Sequence, residues 1–238
     1  MPTDLKAMIF AAGLGTRLQP FTHTAPKALY PINGKPVLQR NIEYLKHYGI
    51  TSIVINTHHF AEQINQFLEQ NHNFGINIQL SYESELLETG GGLIQASKYL
   101  KDSTFVVLNA DVLTNADLGA MIVAHHTSPR LATLAVDQRH SSRQLVFNAQ
   151  HQLQGWVNHN TGESVGSVNN STLRSFNGMH IIDPQFFSAN QRIGKFSIIH
   201  SYLDLMQNHA IVAHDVSHSK FIDIGKPENT ALASQLFP

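Results

Sequence analysis

The sequence predicts an α/β fold: a mainly parallel, Rossmann-like sheet flanked by helices, with a small antiparallel extension in the second half. Three observations carry this. Short apolar runs such as Met8-Ile9-Phe10, Ile53-Val54-Ile55 and Phe105-Val106-Val107-Leu108 recur along the first half. Stretches of helical period separate them, with Leu38, Ile42 and Leu45 on one face, then Ile64, Phe67 and Leu68. Strands alternating with helices over short links build a parallel sheet covered on both faces, which explains why the runs are apolar throughout rather than alternating. Beyond residue 136 the pattern turns to strand pairs joined by polar turns.

In order, residues 8–12 are predicted as strand, 37–48 as helix, 52–56 as strand, 60–71 as helix and 77–82 as strand. A helix opened by glycines follows at 91–100, then a strand at 104–108, a helix at 117–126 and a strand at 131–136. Residues 143–147 and 152–157 form an antiparallel pair joined by Asn148-Ala149-Gln150-His151. Residues 175–182 are strand, 186–187 and 198–208 helical, and 212–216 and 220–222 short strands. The Asn/Ser/Gly-rich stretch 158–172 is expected to be a loop, and residues 1–5 a frayed lead-in. No segment has the composition of a linker, so the chain is expected to be one domain over 1–238, whose halves 1–136 and 137–238 differ in pattern.

With 238 residues the chain can bury a sizeable core, and 42% hydrophobic against 14% charged residues is a globular composition. A net charge of −1 offers nothing to nucleic acid or an acidic membrane. The absence of cysteine excludes disulfides and thiolate metal sites. With no apolar stretch long enough to span a bilayer and no signal-peptide pattern at the start, a cytoplasmic protein is expected. Adjacent histidines diverge on helices and strands alike, so most of the 15 histidines are expected at the surface or at caps rather than on a metal.

Functional groups in such a sheet collect past the carboxyl ends of the strands, where Gly13–Arg17, Asn56, Glu83 and Asp111 all lie. The richest of these segments runs Ala11-Ala12-Gly13-Leu14-Gly15-Thr16-Arg17, with Pro26-Lys27 downstream. Glycines let anionic oxygens approach backbone N–H groups; Thr16 adds a hydroxyl, Arg17 a planar fork suited to phosphate and Lys27 a point charge. The segment is therefore expected to grip nucleotide phosphates. It matches neither a P-loop nor a dinucleotide fingerprint, which would need a third glycine where Leu18 stands. Asp111, directly after a buried strand, is placed to hold a hard cation such as Mg²⁺; a turn or helix N-cap aspartate is the other reading. Asp223, in Phe221-Ile222-Asp223-Ile224-Gly225-Lys226-Pro227, divides the same way.

The string Ala11-Ala12-Gly13-Leu14-Gly15-Thr16-Arg17-Leu18…Pro26-Lys27-Ala28-Leu29, continued by Pro31-Ile32-Asn33-Gly34-Lys35-Pro36-Val37-Leu38, resembles the sugar-phosphate nucleotidylyltransferases that make nucleotide sugars. The resemblance is strongest over 6–111, clear at 221–227 and weakest over 137–175. It implies a GT-A-like nucleotidyltransferase fold and transfer of a nucleotidyl group from an NTP to a sugar 1-phosphate. Arg17, Lys27, Asp111 and Asp223 would be catalytic, with Asp111 and Asp223 holding Mg²⁺. The nucleotide would meet Ala11, Ala12, Gly13, Gly15, Thr16, Arg17 and Lys27. Glu83, Glu88 and Thr89, in a stretch similar to the family's base-recognition loop, would complete that set. Asn109, Arg143, Asn158 and Gly178 fall on the sugar side.

Leu86-Leu87-Glu88-Thr89-Gly90-Gly91-Gly92 looks like the branch acting on hexose and amino-sugar phosphates, N-acetylmuramate 1-phosphate uridylyltransferases included. UTP with such a sugar is the expected substrate pair; guanylyl transfer to mannose 1-phosphate and a non-catalytic regulatory subunit are the alternatives. The chain departs from the family where Glu88 replaces a usual Gly, Lys226 a usual Thr, and Asn158-His159-Asn160 a Glu-Lys-Pro. A metal-dependent glycosyltransferase would need Asp-x-Asp where this chain has Asn109-Ala110-Asp111. A monomer or small homo-oligomer is expected.

Overall fold

The computed structural model describes residues 5–167 and 171–238. Residues 1–4 of the expected lead-in and 168–170 of the expected loop lie outside them. In chain order the elements are β1 (Lys6–Phe10), β2 (Pro31–Ile32), β3 (Lys35–Pro36), α1 (Val37–His47), β4 (Ser52–Thr57), α2 (Ala61–Gln70) and β5 (Asn77–Tyr82). Next come α3 (Glu88–Gln95), α4 (Ser97–Leu100), β6 (Phe105–Asn109), β7 (Val112–Thr114), α5 (Leu118–His126) and β8 (Ala132–Asp137). The second half adds β9 (Arg143–Phe147), β10 (Leu153–Asn158), β11 (Ser164–Gly166), β12 (Thr172–Ile182), α6 (Phe186–Ala189), α7 (Ile198–Leu205), β13 (Ile211–Asp215), β14 (Phe221–Asp223) and α8 (Asn229–Leu236).

Strands β5, β4, β1 and β6 lie side by side and parallel. β12 then enters antiparallel to β6 and β8, and β13 runs parallel to β8 at the far edge. The mainly parallel, helix-flanked sheet expected from the sequence is therefore what the chain builds. Its strands follow the period of two. Ala7, Ile9, Ile53, Ile55, Val106 and Leu108 face one core, packed against α1, α2 and α5. Met8, Val54, Phe105 and Val107 face the other, under α3 and α7. A third, small cluster of Leu18, Ile32, Val37, Leu113, Ile222, Ile224 and Ala233 packs beneath the segments that carry Arg17, Asp111 and Asp223.

The antiparallel extension is β11-β10-β9 attached to the first residues of β12. Here the structure corrects the sequence: part of the stretch expected to be loop is strand β11, with Gly155 opposite Gly166. The two glycines let the backbones close in, since a Cβ at 155 would stand 2.3 Å from the Val165 carbonyl oxygen. β12 bends where its register on β8 shifts between Phe176 and His180, with Gly178 at φ +73°. The helix expected at 91–100 begins earlier, at Glu88, and breaks at Ala96 into α3 and α4. Its early start has a tertiary cause: the N–H groups of Gly90 and Gly91 donate to the Phe196 carbonyl. β7, α8 and the β2–β3 hairpin are too short or too weakly periodic to register in the sequence. Among the described residues no helix is long and apolar enough to cross a membrane. Two histidines depart from the expected surface and cap roles. His125 bonds to Thr133 Oγ1 at 2.9 Å and His180 to the Tyr202 hydroxyl, and both are buried.

Candidate active site

The end of β1 sets the frame. The Ala11 N–H donates to Asn56 Oδ1 (2.8 Å), Asn56 Nδ2 donates to Glu83 Oε1 (2.6 Å), and the Leu87 N–H donates to Glu83 Oε2 (2.9 Å). Glu83 is fully buried, and a fully hydrogen-bonded carboxylate is the tolerable way to bury one. Glu83 lines the cleft, yet both its oxygens are engaged inside the protein, so its part is to hold the 83–88 loop against the strand ends. Thr89 is similar: its Oγ1 accepts from the Ile198 N–H at 3.0 Å and fixes the start of α7. Gly90 and Gly91 leave no room for a side chain, with a Cβ 2.2 Å from the Phe196 ring and 2.2 Å from the Gly194 carbonyl oxygen respectively.

The phosphate-loop candidate turns at Gly15, φ +64°, where a Cβ would stand 2.8 Å from Lys27 Cβ. Thr22, buried, donates from Oγ1 to the Gly15 carbonyl at 3.0 Å. Lys27 is thereby carried back across the loop, and its Nζ meets Asp111 Oδ2 at 2.5 Å with both side chains mostly buried. Asp111 leaves the end of β6. Asp223 reaches it through the β7–β14 ladder, which pairs Asp223 with Val112, and the Ile224 N–H donates to the Asp111 carbonyl at 2.9 Å.

Gly225 marks the convergence. A Cβ there would lie 2.8 Å from Asp223 Oδ1, 2.9 Å from Arg17 Nη2 and 3.0 Å from Asp111 Oδ2. Burial first, and then the Asp111 carboxylate, raise the Asp223 pKa above its ordinary value, against lowering by Lys27 and Arg17. Among the described residues the Arg17 guanidinium has no ion-pair partner. Arg17, Lys27, Asp111 and Asp223, drawn from four segments of the sequence, thus stand together. Two clustered carboxylates flanked by cations suit Mg²⁺, which takes one or two protein carboxylates and fills its shell with phosphate oxygens and water. Among the described residues no cluster of three or more acidic or histidine side chains offers an all-protein metal cage.

Two adjoining clefts open beside this cluster. One, of about 460 Å³, is lined by Ala12, Gly13, Lys27, Glu83, Glu88, Thr89, Asn109, Asp111 and Arg143 among others. The other, about 370 Å³, is lined by Trp156, Asn158, Glu163, Val165, Ile199, His200 and Leu203. Glu88, Arg143 and Ser197 line both. Ala11, Gly15, Thr16, Arg17 and Asp223 line neither cleft. The Asn158 Oδ1 accepts from the Asn160 N–H at 3.1 Å, so half of that amide serves a turn. Gly178 lines neither cleft: a Cβ there would stand 2.4 Å from Asn109 Nδ2, so its bareness seats Asn109. Sequence reasoning missed Gly225, Ser197, Glu163 and His200. Ser197 carried a signal, being an N-cap serine just before the apolar start of α7; its Oγ accepts from the Ile199 N–H.

Residues 6–145 match the family model described as nucleotidyl transferase. The chain is 38% identical to a UTP–glucose-1-phosphate uridylyltransferase of Synechocystis over 55% of its length and 36% of that protein's, so it spans about a third of this relative. It is 36% identical to an N-acetylmuramate alpha-1-phosphate uridylyltransferase of Neisseria meningitidis over 78% of each. Among solved structures, HddC from Yersinia pseudotuberculosis superposes with a TM-score of 0.78 at 26% identity, covering 99% of this chain and 100% of HddC.

Proposed function

The chain belongs to the nucleotidyl transferase family, and from that premise we propose that it transfers a nucleotidyl group from an NTP to a sugar 1-phosphate, releasing pyrophosphate. The observation that carries the reading is the convergence of Arg17, Lys27, Asp111 and Asp223 around Gly225, of which Lys27 and Asp111 line a cleft with room for a nucleotide. The chemistry needs no protein nucleophile. A phosphate oxygen of the sugar 1-phosphate is already ionised; it attacks the α-phosphorus, a P–O bond forms, and the bond to the β-phosphate oxygen breaks. The protein's task is to bring two anions together in line. Arg17 neutralises the departing pyrophosphate. Lys27, held in the resting site by Asp111, is placed to bridge the α-phosphate and the attacking phosphate. Asp111 and Asp223 would hold Mg²⁺, which when bound screens the repulsion between the two substrates. Glycines 13 and 15 and the Thr16 hydroxyl present donors to the phosphates.

We assign the first cleft to the nucleotide and the second to the sugar, within one domain whose halves divide near residue 136. UTP and N-acetylmuramate 1-phosphate are the proposed pair. The Neisseria relative bearing that name supports it. So does a second cleft that sets Trp156, Ile199 and Leu203 beside the cation Arg143, a combination suited to a sugar with apolar substituents and a carboxylate. Pyrophosphate release followed over a panel of NTPs and sugar 1-phosphates tests the reading. Turnover with GTP and mannose 1-phosphate alone would replace the substrate pair, and silence across the panel would overturn the activity.

A further inference from the structure

Glu88 holds φ at +60°, the left-handed region in which a residue with a Cβ is strained. Of the described non-glycine residues in that region, it alone lines either cleft, and it lines both. Anchors on either side fix the backbone there: the Leu87 carbonyl accepts from the Phe196 N–H and the Thr89 hydroxyl from the Ile198 N–H, which leaves the Glu88 side chain exposed where the two clefts meet. Among the described residues its carboxylate accepts no hydrogen bond and joins no ion pair. A helix-capping duty is already discharged, since the N–H groups of Gly90 and Gly91 go to the Phe196 carbonyl. An exposed carboxylate held by an anchored backbone at the junction of two clefts is positioned to accept hydrogen bonds from a molecule bound there.

The position restricts what that partner is. An ionised carboxylate only accepts hydrogen bonds and repels phosphate. Arg143, also without a side-chain partner among the described residues, lines the same junction and can take the anionic groups. Glu88 is left with neutral donors, the hydroxyl or amide N–H groups of the sugar.

We propose that Glu88 determines sugar specificity, accepting hydrogen bonds from hydroxyl or acetamido N–H groups of the acceptor sugar from a strained backbone position between the two clefts. This rests on the activity proposed above. The test compares wild type, Glu88→Gly and Glu88→Gln with UTP and, in turn, glucose 1-phosphate, N-acetylglucosamine 1-phosphate and N-acetylmuramate 1-phosphate. Glycine adopts positive φ freely. Glu88→Gly should therefore melt no more than about 2 °C below wild type, or above it. Its KM for the preferred sugar 1-phosphate should rise at least about tenfold while the KM for UTP stays within about twofold. Glu88→Gln, which keeps one acceptor oxygen and the same shape, should show a smaller rise in the same constant. Unchanged sugar kinetics in both variants would overturn the proposal, and an equal rise in the KM for UTP would assign Glu88 to the nucleotide. A wild-type protein inert with every pair would overturn the proposed activity and this assignment with it.

Discussion

Burial and the neighbouring Asp111 carboxylate raise the pKa of Asp223, so its ionised form is disfavoured in the fold. A raised carboxylate pKa means that the folded state holds the proton more tightly than the unfolded one. The stability this contributes is present below the ordinary carboxylate value and is lost as pH rises through the raised value. At neutral pH the charge on Asp223 works against folding. Asp223→Asn keeps an oxygen for the Gly225 N–H, which now donates to Oδ1 at 2.7 Å. The variant should melt higher than wild type at pH 7 while turning over at least about 100-fold more slowly, roughly 3 kcal/mol of transition-state stabilisation. A lower melting temperature would show that the carboxylate is structural. Gly225→Ala probes the same point by volume. Its methyl group would press on Asp223, Arg17 and Asp111 at 2.8–3.0 Å, closer than Cβ contacts allow. Turnover should fall at least about tenfold, and because Gly225 is buried the melting temperature is read beside it to separate a displaced site from a loosened fold. Wild-type turnover would mean that the convergence is not the reacting centre.

At the scale of elements, β14 carries Asp223 yet is only three residues long and pairs with β7 alone. A second restraint comes from Arg139, just past β8. Its guanidinium stacks on the Phe221 ring 4.1 Å from the centroid, pairs with Asp137 Oδ2 at 2.5 Å, and donates to the Phe176 carbonyl (2.7 Å) and to Asn177 Oδ1. One planar fork thus fastens β8, β12 and β14 together. Arg139→Lys keeps the charge and loses both the fork and the stacking. It should cost about 1–2 kcal/mol of stability and lower kcat more than it raises the KM for either substrate, because Asp223 is no longer held in place. Thermal melts beside steady-state kinetics check this; a kcat equal to wild type would mean that Asp223 is held in place without Arg139.

For the whole molecule, acid sensitivity follows from the core histidines. Burial lowers the pKa of His180 to about 3 and, with His126 beside it, that of His125 to about 4. Both are neutral when folded and take a proton near pH 6.5 when unfolded. Between those values the unfolded state binds more protons, so stability falls as pH drops from about 6.5 towards 4, by up to about 1.4 kcal/mol per pH unit for each histidine. Denaturant unfolding across that range measures the slope. His125→Asn, which retains a partner for Thr133, should flatten it by about one histidine's share; an unaltered slope would mean that His125 is protonated in the fold.

The α/β class, the parallel strands and the glycine turn after β1 were legible in the chain itself, because apolar runs, helical period and turn glycines act over a few residues. Asp111 was legible as a carboxylate directly after a buried strand. What the sequence could not decide was every pairing made across long separations. Lys27 meets Asp111 across 84 residues, and the Thr89 hydroxyl meets the Ile198 N–H across 109. Gly90 and Gly91 are bare because the 194–196 segment presses on them, and Gly178 is bare because Asn109 lies over it. A stretch that read as loop became β11 once Gly155 faced Gly166. Local chemistry chooses elements and turns. Which side chains share a site, which histidines are buried and which glycines are crowded depend on where distant segments close, and that is settled only when the whole sheet assembles.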